Sequence, residues 1–173
     1  MKTLILGIDP GLTGALALID FKTLAIEAVF DVPTYRTLSK SRKSGKLTHI
    51  DMYSTVSKLR PYRDRIIMAL IEEPGAMPGQ GLGSTFKFGK VCGQIEGLLA
   101  GLDIPLHPVK PSVWKMALGL DADKNATMSE IKRLYPQLVA SMFSRKKDHD
   151  RAEAVLLARF ATTHLKSFIE FCI

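Results

Sequence analysis

One apolar run in the middle of the chain constrains the fold more than any other feature. Residues 65–71 read Arg-Ile-Ile-Met-Ala-Leu-Ile, and six apolar side chains in a row would lie on both faces of a strand. Both faces must then be covered, as in the central strand of an α/β sheet. The run ends abruptly at Glu72 and Glu73. The sequence therefore predicts a buried strand that delivers carboxylates at its C-terminal end.

Three strand-like segments precede this run and one follows it. Residues 3–8 and 15–20 are apolar, and the turn-forming segment 9–14 (Asp-Pro-Gly-Leu-Thr-Gly) separates them. Residues 26–32 are again strand-like, so the N-terminal part predicts an antiparallel three-stranded meander. Residues 106–109 provide a plausible fifth strand.

Helical patterns fill much of the rest of the chain. They are a helix capped by Asp51 and limited by Pro61, one capped by Ser84 that carries Phe88, Cys92, Ile95 and Leu99, one begun by Pro111, one with a Thr127/Glu130 capping box that Pro136 stops, and one from about Asp148 through Phe160. A meander followed by alternating strands and helices predicts an α/β fold, a mixed sheet covered by helices. No linker is visible, so we expect one domain over residues 1–173.

The charge balance favours a partner rich in phosphates. The chain of 173 residues carries a formal charge of +7, with a pI of about 9.5. Basic side chains crowd one segment: Arg36, Lys40, Arg42, Lys43, Lys46 and His49. Serine and glycine residues between them predict a mobile basic loop, which either contacts DNA or is simply solvated.

Composition also excludes several classes of protein. Apolar residues make up 46% and charged residues 24%, which is typical of a globular chain rather than a disordered one. The apolar start is interrupted by Asp9 before it reaches signal-peptide or membrane-spanning length. Cys92 and Cys172 match no zinc motif. We therefore expect a cytosolic protein with reduced thiols and no membrane segment.

Four acidic positions follow elements that a sheet of this kind brings together. Asp9 ends the first strand and Glu72 the buried strand, and neighbouring strands would place both carboxylates at one edge. Asp150 and Glu153 are three residues apart near the start of the last helix and share a face. Glu73 competes with Glu72, because strand alternation sends the two side chains to opposite faces. Sequence physics alone does not choose between them.

Carboxylates that converge in a partly buried cleft repel one another and need a cation. Ligands that are all oxygen select hard ions, Mg²⁺ with Mn²⁺ as a possible substitute. Two such ions about 4 Å apart can activate a water molecule and stabilise the leaving 3′-oxygen in phosphodiester hydrolysis. We expect Asp9 to bridge the two ions, with Asp150, Glu153 and one of the two glutamates as further ligands.

A glycine stripe marks the helix that follows Ser84. Gly89, Gly93 and Gly97 are four residues apart, and each costs about 1 kcal/mol in a helix. Three glycines on one stripe predict that the helix backbone packs closely against the sheet or against a second subunit.

Five segments occur in the order found in RuvC-type Holliday-junction resolvases. They are residues 8–15 (Ile-Asp-Pro-Gly-Leu-Thr-Gly-Ala), 71–73 (Ile-Glu-Glu), 76–81 (Ala-Met-Pro-Gly-Gln-Gly), 109–115 (Val-Lys-Pro-Ser-Val-Trp-Lys) and 150–154 (Asp-Arg-Ala-Glu-Ala). From residue 3 to about 165 the chain resembles this family, with the bacteriophage members most similar. The resemblance implies an RNase H-like fold with a mixed five-stranded sheet. It also implies a Mg²⁺-dependent endodeoxyribonuclease that nicks branched DNA, leaving 5′-phosphates.

The resemblance also implies site residues and partners. The catalytic and metal-binding set is Asp9, Glu72, Asp150 and Glu153, with Glu72 favoured because the family's acid directly follows the last apolar residue of the strand. Lys110 and Lys124 fall where the family has basic residues near DNA, and Arg42, Lys43 and Lys46 are further candidate DNA contacts. The expected partners are four-way junctions, flaps and forks, bound by a homodimer in the cytoplasm of a bacterium or a phage-infected cell.

Two positions depart from the family pattern. Glu153 stands where the family often has the shorter Asp. Cellular members place an aromatic residue shortly after the second acid to intrude into the junction, whereas Pro74, Gly75 and Ala76 follow Glu73 here. The candidate substitutes are Phe86 and Phe88, although the helical spacing of Phe88 favours a core position. His149, beside Asp150, either tunes the site or is a surface histidine.

Two other functions compete with the nuclease. The segment 9–13 (Asp-Pro-Gly-Leu-Thr) also resembles the phosphate-binding turn of the actin, Hsp70 and sugar-kinase ATPases, but these need two such domains around a nucleotide. A non-catalytic branched-DNA-binding module could keep the fold and the basic segment and lose acids, yet all four acids are present. Sequence does not settle which branched substrate or cutting sequence is preferred.

Overall fold

The computed structural model describes residues 3–38, 40, 45–73, 75, 81–120 and 124–165, without the side chains of Lys124 and Lys146. The strands are β1 Leu4–Asp9, β2 Ala15–Asp20, β3 Ile26–Asp31, β4 Thr34–Leu38, β5 Lys46–Ile50, β6 Ile66–Glu72 and β7 Leu106–Val109. Five of them form one sheet in the order β3-β2-β1-β6-β7. β1 is antiparallel to β2 and parallel to β6, and β6 is parallel to β7. The predicted mixed five-stranded sheet is confirmed.

A β-hairpin replaces part of the predicted basic loop. β4 and β5 pair antiparallel as a separate two-stranded sheet, with Tyr35 opposite His49. The two rings stack with their centroids 5.1 Å apart, and Thr37 Oγ1 lies 2.8 Å from Nε2 of His49. These cross-strand contacts hold the hairpin. Arg42 and Lys43 lie outside the described residues.

Helices flank the sheet. They are α1 Met52–Leu59, α2 Leu82–Gly101, α3 Pro111–Ala117, α4 Lys124–Leu134, α5 Val139–Met142 and α6 His149–His164, with single 3₁₀ turns over Arg60–Arg65, Pro136–Leu138 and Lys146–Asp148. In the described ranges, none combines the length and the apolar character that crossing a bilayer requires.

The helix starts agree with the sequence at Asp51, Pro111 and Asp148 and differ at two positions. Asp51 caps α1, because its Oδ1 accepts a hydrogen bond of 2.9 Å from the Ser54 amide. The N-cap of α2 is Gly81 rather than Ser84, whose amide instead donates to the Gly81 carbonyl. Thr127 lies buried inside α4, and the Glu130 carboxylate binds Arg133, so the predicted capping box does not form.

Two apolar layers cover the sheet, and alternation along the strands assigns each side chain to one of them. Ile5 of β1 belongs to the layer that contains α6 and Trp114 of α3, whereas Ile8 belongs to the opposite layer with Leu99 of α2. On β6, Leu70 faces the α6 layer and Ile71 the α2 layer. The sheet is therefore buried on both faces, as the apolar run 66–71 predicts.

Gly7 allows α6 to approach β1 unusually closely. A Cβ atom at this position would lie 2.0 Å from the carbonyl oxygen of Ala154 and 2.7 Å from the amide nitrogen of Ala158. Only a residue without a side chain permits this contact between backbone and strand. Because α6 carries Asp150 and Glu153 and β1 carries Asp9, Gly7 determines how near those carboxylates come to one another.

Candidate active site

Strand alternation places Asp9 and Glu72 on the same face of the sheet. Asp9 is an even number of residues from Ile5, which faces α6, and Glu72 is two residues beyond Leu70, which also faces α6. Glu73 would follow Ile71 toward the α2 layer. β1 and β6 are adjacent and parallel, so both acids lie at the carboxyl end of the strand pair. The neighbouring strands predicted from the sequence are observed.

Three of the four predicted ligands come together. A carboxylate oxygen from each of Asp9, Asp150 and Glu153 lies within 4.8 Å of the other two. Asp150 and Glu153 occupy the first turns of α6, the helix that packs against β1. Acids from two ends of the chain thus form one cluster, which we call the acidic site.

Asp9 is buried among other acids, and this environment strongly perturbs its pKa. Burial raises its pKa well above the ordinary aspartate value, and the charges of Glu153, Asp150 and Glu72 raise it further. The nearby ammonium of Lys115 lowers that pKa but does not cancel these effects. The Asp9 carboxylate thus lies where negative charge is unfavourable, which is typical of metal ligands and catalytic groups.

Glu72 lies at the edge of the acidic site and is held by an indole. Trp114, fully buried on α3, donates a hydrogen bond of 3.2 Å from Nε1 to Oε2 of Glu72. Burial raises the pKa of Glu72, as does the charge of Glu153, while Lys115 and the Trp114 hydrogen bond lower it. Glu72 is therefore electrostatically part of the site, although it is not within the 4.8 Å set.

Lys115 is a site residue that the sequence analysis missed. Its Nζ lies 2.7 Å from Oε1 of Glu153, and both side chains are largely buried, with 21% and 14% of their surface exposed. The same ammonium lies 5.1 Å from the centroid of the Trp114 ring. Segment 109–115 is one of those that carry the resemblance, which implied a role for Lys110, and Lys110 is exposed at the start of α3.

His149 contacts the site directly. Its Nε2 lies 2.6 Å from Oδ1 of Asp150, and 28% of its side chain is exposed. The interpretation of this residue as a plain surface histidine is therefore wrong. Because it begins α6, it joins the same turn that presents Asp150.

An ionic network fixes the turn that leads into α6. Asp148, 1% exposed, accepts hydrogen bonds from the Arg145 guanidinium at 2.9 and 2.6 Å and from the Arg145 amide at 2.7 Å. Nε of Arg151 binds Asp31 at the end of β3. Burial raises the pKa of Asp31, but the hydrogen bond and charge of Arg151 outweigh it and leave that pKa lowered. These ion pairs tie α6 to the sheet one residue away from Asp150.

The predicted DNA contacts are scattered over several elements. Lys110 is exposed at the N-cap of α3, Lys46 begins β5, and Lys124 begins α4. Lys46 already interacts with the protein. Of the basic side chains that the structure describes on these elements, Lys115 is the one whose charge acts on Asp9 and Glu72.

The glycine stripe of α2 does not pack against the sheet. Gly89, Gly93 and Gly97 are exposed, and a Cβ atom at any of them would meet no atom of the described chain within 4 Å. Beside them, a cavity of about 560 Å³ lies between α1 and α2, lined by Tyr53, Leu98 and Gly101 among others. The first of the two predicted packing partners, the sheet, is therefore wrong, and the second subunit stays a prediction.

The donor set fits a hard divalent cation. The three clustered side chains offer only carboxylate oxygens, and among the described residues the ammonium of Lys115 stands against four carboxylates. A divalent ion would offset the repulsion that raises the pKa of Asp9. Asp9, Asp150 and Glu153 are the residues that could hold it.

The sheet order, the flanking helices and the acids at the strand ends define an RNase H-like fold. No protein-family model matches the sequence, and no curated protein matches it. Solved structures of Thermus thermophilus RuvC do match the structure of this chain. One, in complex with a Holliday junction substrate, superposes with a TM-score of 0.68 over 97% of this chain and 98% of its own, at 17% identity. Another has a TM-score of 0.55 over 91% and 94%, also at 17% identity. The chain therefore has the RuvC fold.

Proposed function

We propose that the protein is a metal-dependent endonuclease that nicks Holliday junctions and other branched DNA. The observation that carries this proposal is the convergence of Asp9, Asp150 and Glu153 at the end of β1. The likeness to a RuvC structure solved with a Holliday junction substrate supports the choice of substrate. The net charge of +7 supports nucleic acid as the partner.

The proposed site holds two Mg²⁺ ions, or Mn²⁺ in their place, through Asp9, Glu72, Asp150 and Glu153. When bound, such ions supply a water of lowered pKa and positive charge at the leaving oxygen of a phosphodiester. Asp9 is the proposed shared ligand, because its carboxylate lies within 4.8 Å of those of Asp150 and Glu153, and the charge of Glu72 also acts on it. Trp114 orients Glu72 through its N–H. The expected products are a 5′-phosphate and a 3′-hydroxyl.

Lys115 has two proposed tasks in this site. In the protein alone its ammonium neutralises Glu153 across 2.7 Å. Once Glu153 is engaged as a ligand, the ammonium becomes available to a phosphate oxygen of the DNA. Lys110 and Lys124, together with Arg42, Lys43 and Lys46, are proposed to hold phosphates farther along the substrate.

We also propose that the protein acts as a homodimer, in the cytoplasm of a bacterium or a phage-infected cell. A four-way junction has two-fold symmetry and needs two coordinated nicks, which a two-fold dimer provides. The exposed glycine stripe of α2 would let a second copy of the helix approach closely. Sedimentation as a monomer, both alone and on junction DNA, would remove this part of the proposal.

A nicking assay tests the function. Purified protein is incubated with end-labelled four-way junction, flap and linear duplex in Mg²⁺, in Mn²⁺ and in EDTA. We expect cutting of the branched substrates with either ion and none in EDTA, and no cutting by Asp9→Asn. Tight binding to the junction without cutting in Mg²⁺ would instead identify a non-catalytic branched-DNA-binding module.

A further inference from the structure

Three residues form a row across the sheet at the end where the acidic site lies. Asp9 of β1 is paired with Ala15 of β2, and Ala15 is paired with Asp31 of β3. Residues directly opposite one another on antiparallel strands project from the same face of a sheet. Asp31 therefore faces the α6 layer, as Asp9 does, and lies two strand spacings away from it, about 10 Å.

The N-terminal turns of α6 cross this row and contact it at two points. At β1, carboxylate oxygens of Asp150 and Glu153 lie within 4.8 Å of one of Asp9. At β3, Nε of Arg151 donates a hydrogen bond to Oδ1 of Asp31. Successive residues of a helix point about 100° apart, so Arg151 leaves α6 on a different side from Asp150. The β1 contact is thus a repulsion between like charges, and the β3 contact is an attraction between opposite charges.

The Arg151 guanidinium is firmly held at the β3 contact. Only 19% of its side chain is exposed, and Nη1 donates a second hydrogen bond, of 3.3 Å, to the carbonyl oxygen of Met142. Asp31 is ionised at neutral pH, because its pKa lies below the ordinary aspartate value. The helix dipole favours acids in the first turn of a helix and opposes a cation there. The contact with Asp31, rather than the stability of the helix, therefore explains a cation at residue 151.

We propose that the Arg151–Asp31 ion pair is a positioning contact for the metal site, which holds the N-terminal end of α6 against the sheet while the acids are without a cation. The proposal rests on the proposed function, which supplies the metal site. Repulsion among the three clustered carboxylates acts to separate α6 from β1. The ion pair opposes this separation on the other side of the same helix. The ligands are then already assembled when an ion binds, which strengthens its binding.

Arg151 and Lys115 act on the site in different ways. Lys115 places its ammonium on Glu153 and reduces the negative charge inside the site. Arg151 directs its charge onto Asp31 and acts through the position of the helix backbone. Removing a cation near four carboxylates would, by charge alone, strengthen the binding of a metal ion. Loss of a positioning contact would weaken it, so the two effects of replacing Arg151 have opposite signs.

The test measures Mn²⁺ binding to the metal-free protein without DNA, from the electron paramagnetic resonance signal of the free ion. We expect Arg151→Gln and Asp31→Asn each to raise the dissociation constant about tenfold, as is typical of residues that orient metal ligands. The double variant should bind no more weakly than either single variant, because both substitutions break the same contact. Glu27→Gln is the matched control and should bind like wild type, because Glu27 lies on the same strand and forms a 2.7 Å ion pair with Arg65, away from α6.

The Tm of each variant in EDTA separates positioning from stability. An ion pair that is only structural would lower the Tm and leave Mn²⁺ binding unchanged, and this result would overturn the proposal. Tighter Mn²⁺ binding by Arg151→Gln would overturn it as well. Arg151→Lys keeps a cation but loses the planar fork of the guanidinium, so it should weaken binding by a smaller factor, and it carries the test if the neutral variants do not fold.

Nicking of a four-way junction at graded Mg²⁺ concentrations gives a second readout. Asp31→Asn should need more Mg²⁺ for half-maximal nicking and approach the wild-type rate at saturating Mg²⁺. If Mn²⁺ binding depends on Arg151 but no DNA is cut, the positioning role stands and the nuclease fails. If DNA is cut and Mn²⁺ binding does not depend on Arg151, the nuclease stands and the positioning role fails. Absence of Mn²⁺ binding by wild type would overturn both.

Discussion

Nζ of Lys115 lies 2.7 Å from Oε1 of Glu153, so the acidic site contains a cation of its own. The pair is largely buried, and the same ammonium lowers the pKa values of Asp9 and Glu72. It offsets one negative charge among four. An added divalent ion must therefore compete with Lys115 for Glu153, which links metal binding to the position of this side chain.

Lys115→Met should make the protein less stable without metal and more responsive to it. Removing the ammonium leaves Glu153 without its partner, at a cost of about 2 kcal/mol, between the values for surface and buried pairs. It also removes the competitor for the ion, so the rise in Tm on adding Mg²⁺ should be larger than in wild type. Thermal unfolding in EDTA and across a Mg²⁺ titration measures both. Lys110→Met is the control, and equal responses of the two variants would contradict the role of Lys115.

Asp9→Asn should abolish cutting and stabilise the metal-free protein. The neutral amide removes the burial and repulsion that raise the pKa of Asp9. The prediction is a higher Tm in EDTA and a smaller Tm gain with Mg²⁺, since a ligand is lost. A variant that is destabilised in EDTA would show that the repulsion is already compensated.

The stabilisation by Asp9→Asn should depend on pH. A carboxyl group whose pKa is raised in the folded state binds its proton more tightly there than in the unfolded chain, so wild type loses stability as pH rises from about 4 toward that raised pKa. The amide does not titrate. The difference in Tm between variant and wild type in EDTA should therefore be small at pH 4 and grow toward neutral pH. A difference that stays constant over this range would contradict the raised pKa.

Glu72→Gln should abolish or strongly reduce nicking, whereas Glu73→Gln should retain it. Glu72 shares the face of Asp9 and is coupled to Glu153, while the Glu73 position follows Ile71 toward α2. The two substitutions are matched in chemistry and adjacent in the chain. The assay is nicking of a labelled four-way junction in Mg²⁺. Loss in Glu73→Gln with survival in Glu72→Gln would move the ligand by one residue.

Gly7→Ala should damage both stability and activity. The new methyl group would lie 2.0 Å from the carbonyl of Ala154, so α6 must shift away from β1 and carry Asp150 away from Asp9. We expect a loss of about 3 kcal/mol in the free energy of unfolding. Gly83→Ala is the control, because it meets nothing within 4 Å and should gain up to about 1 kcal/mol in helix propensity. Chemical denaturation compares them, and equal stabilities would contradict the close contact.

The parts of the fold with strong patterns were predicted well. The apolar run 66–71 became β6, the turn after Asp9 joins β1 to β2, and Asp51 caps α1. Periodicity and capping are local properties, which sequence carries directly. The pairing of β4 with β5 was not predicted from the sequence. It depends on cross-strand contacts such as the ring stack between Tyr35 and His49.

By itself, the sequence determined which chemical groups were available and that Asp9 and Glu72 end strands, while Asp150 and Glu153 share a helix face. Only the tertiary structure decided which helical layer each face of a strand contacts. A strand that is apolar on both faces does not show in its sequence which face packs against which helix. That decision places Glu72 rather than Glu73 beside Asp9. It also brings Lys115 to Glu153 across 38 residues of chain, a contact that depends on how α3 packs against α6 and that no local pattern encodes.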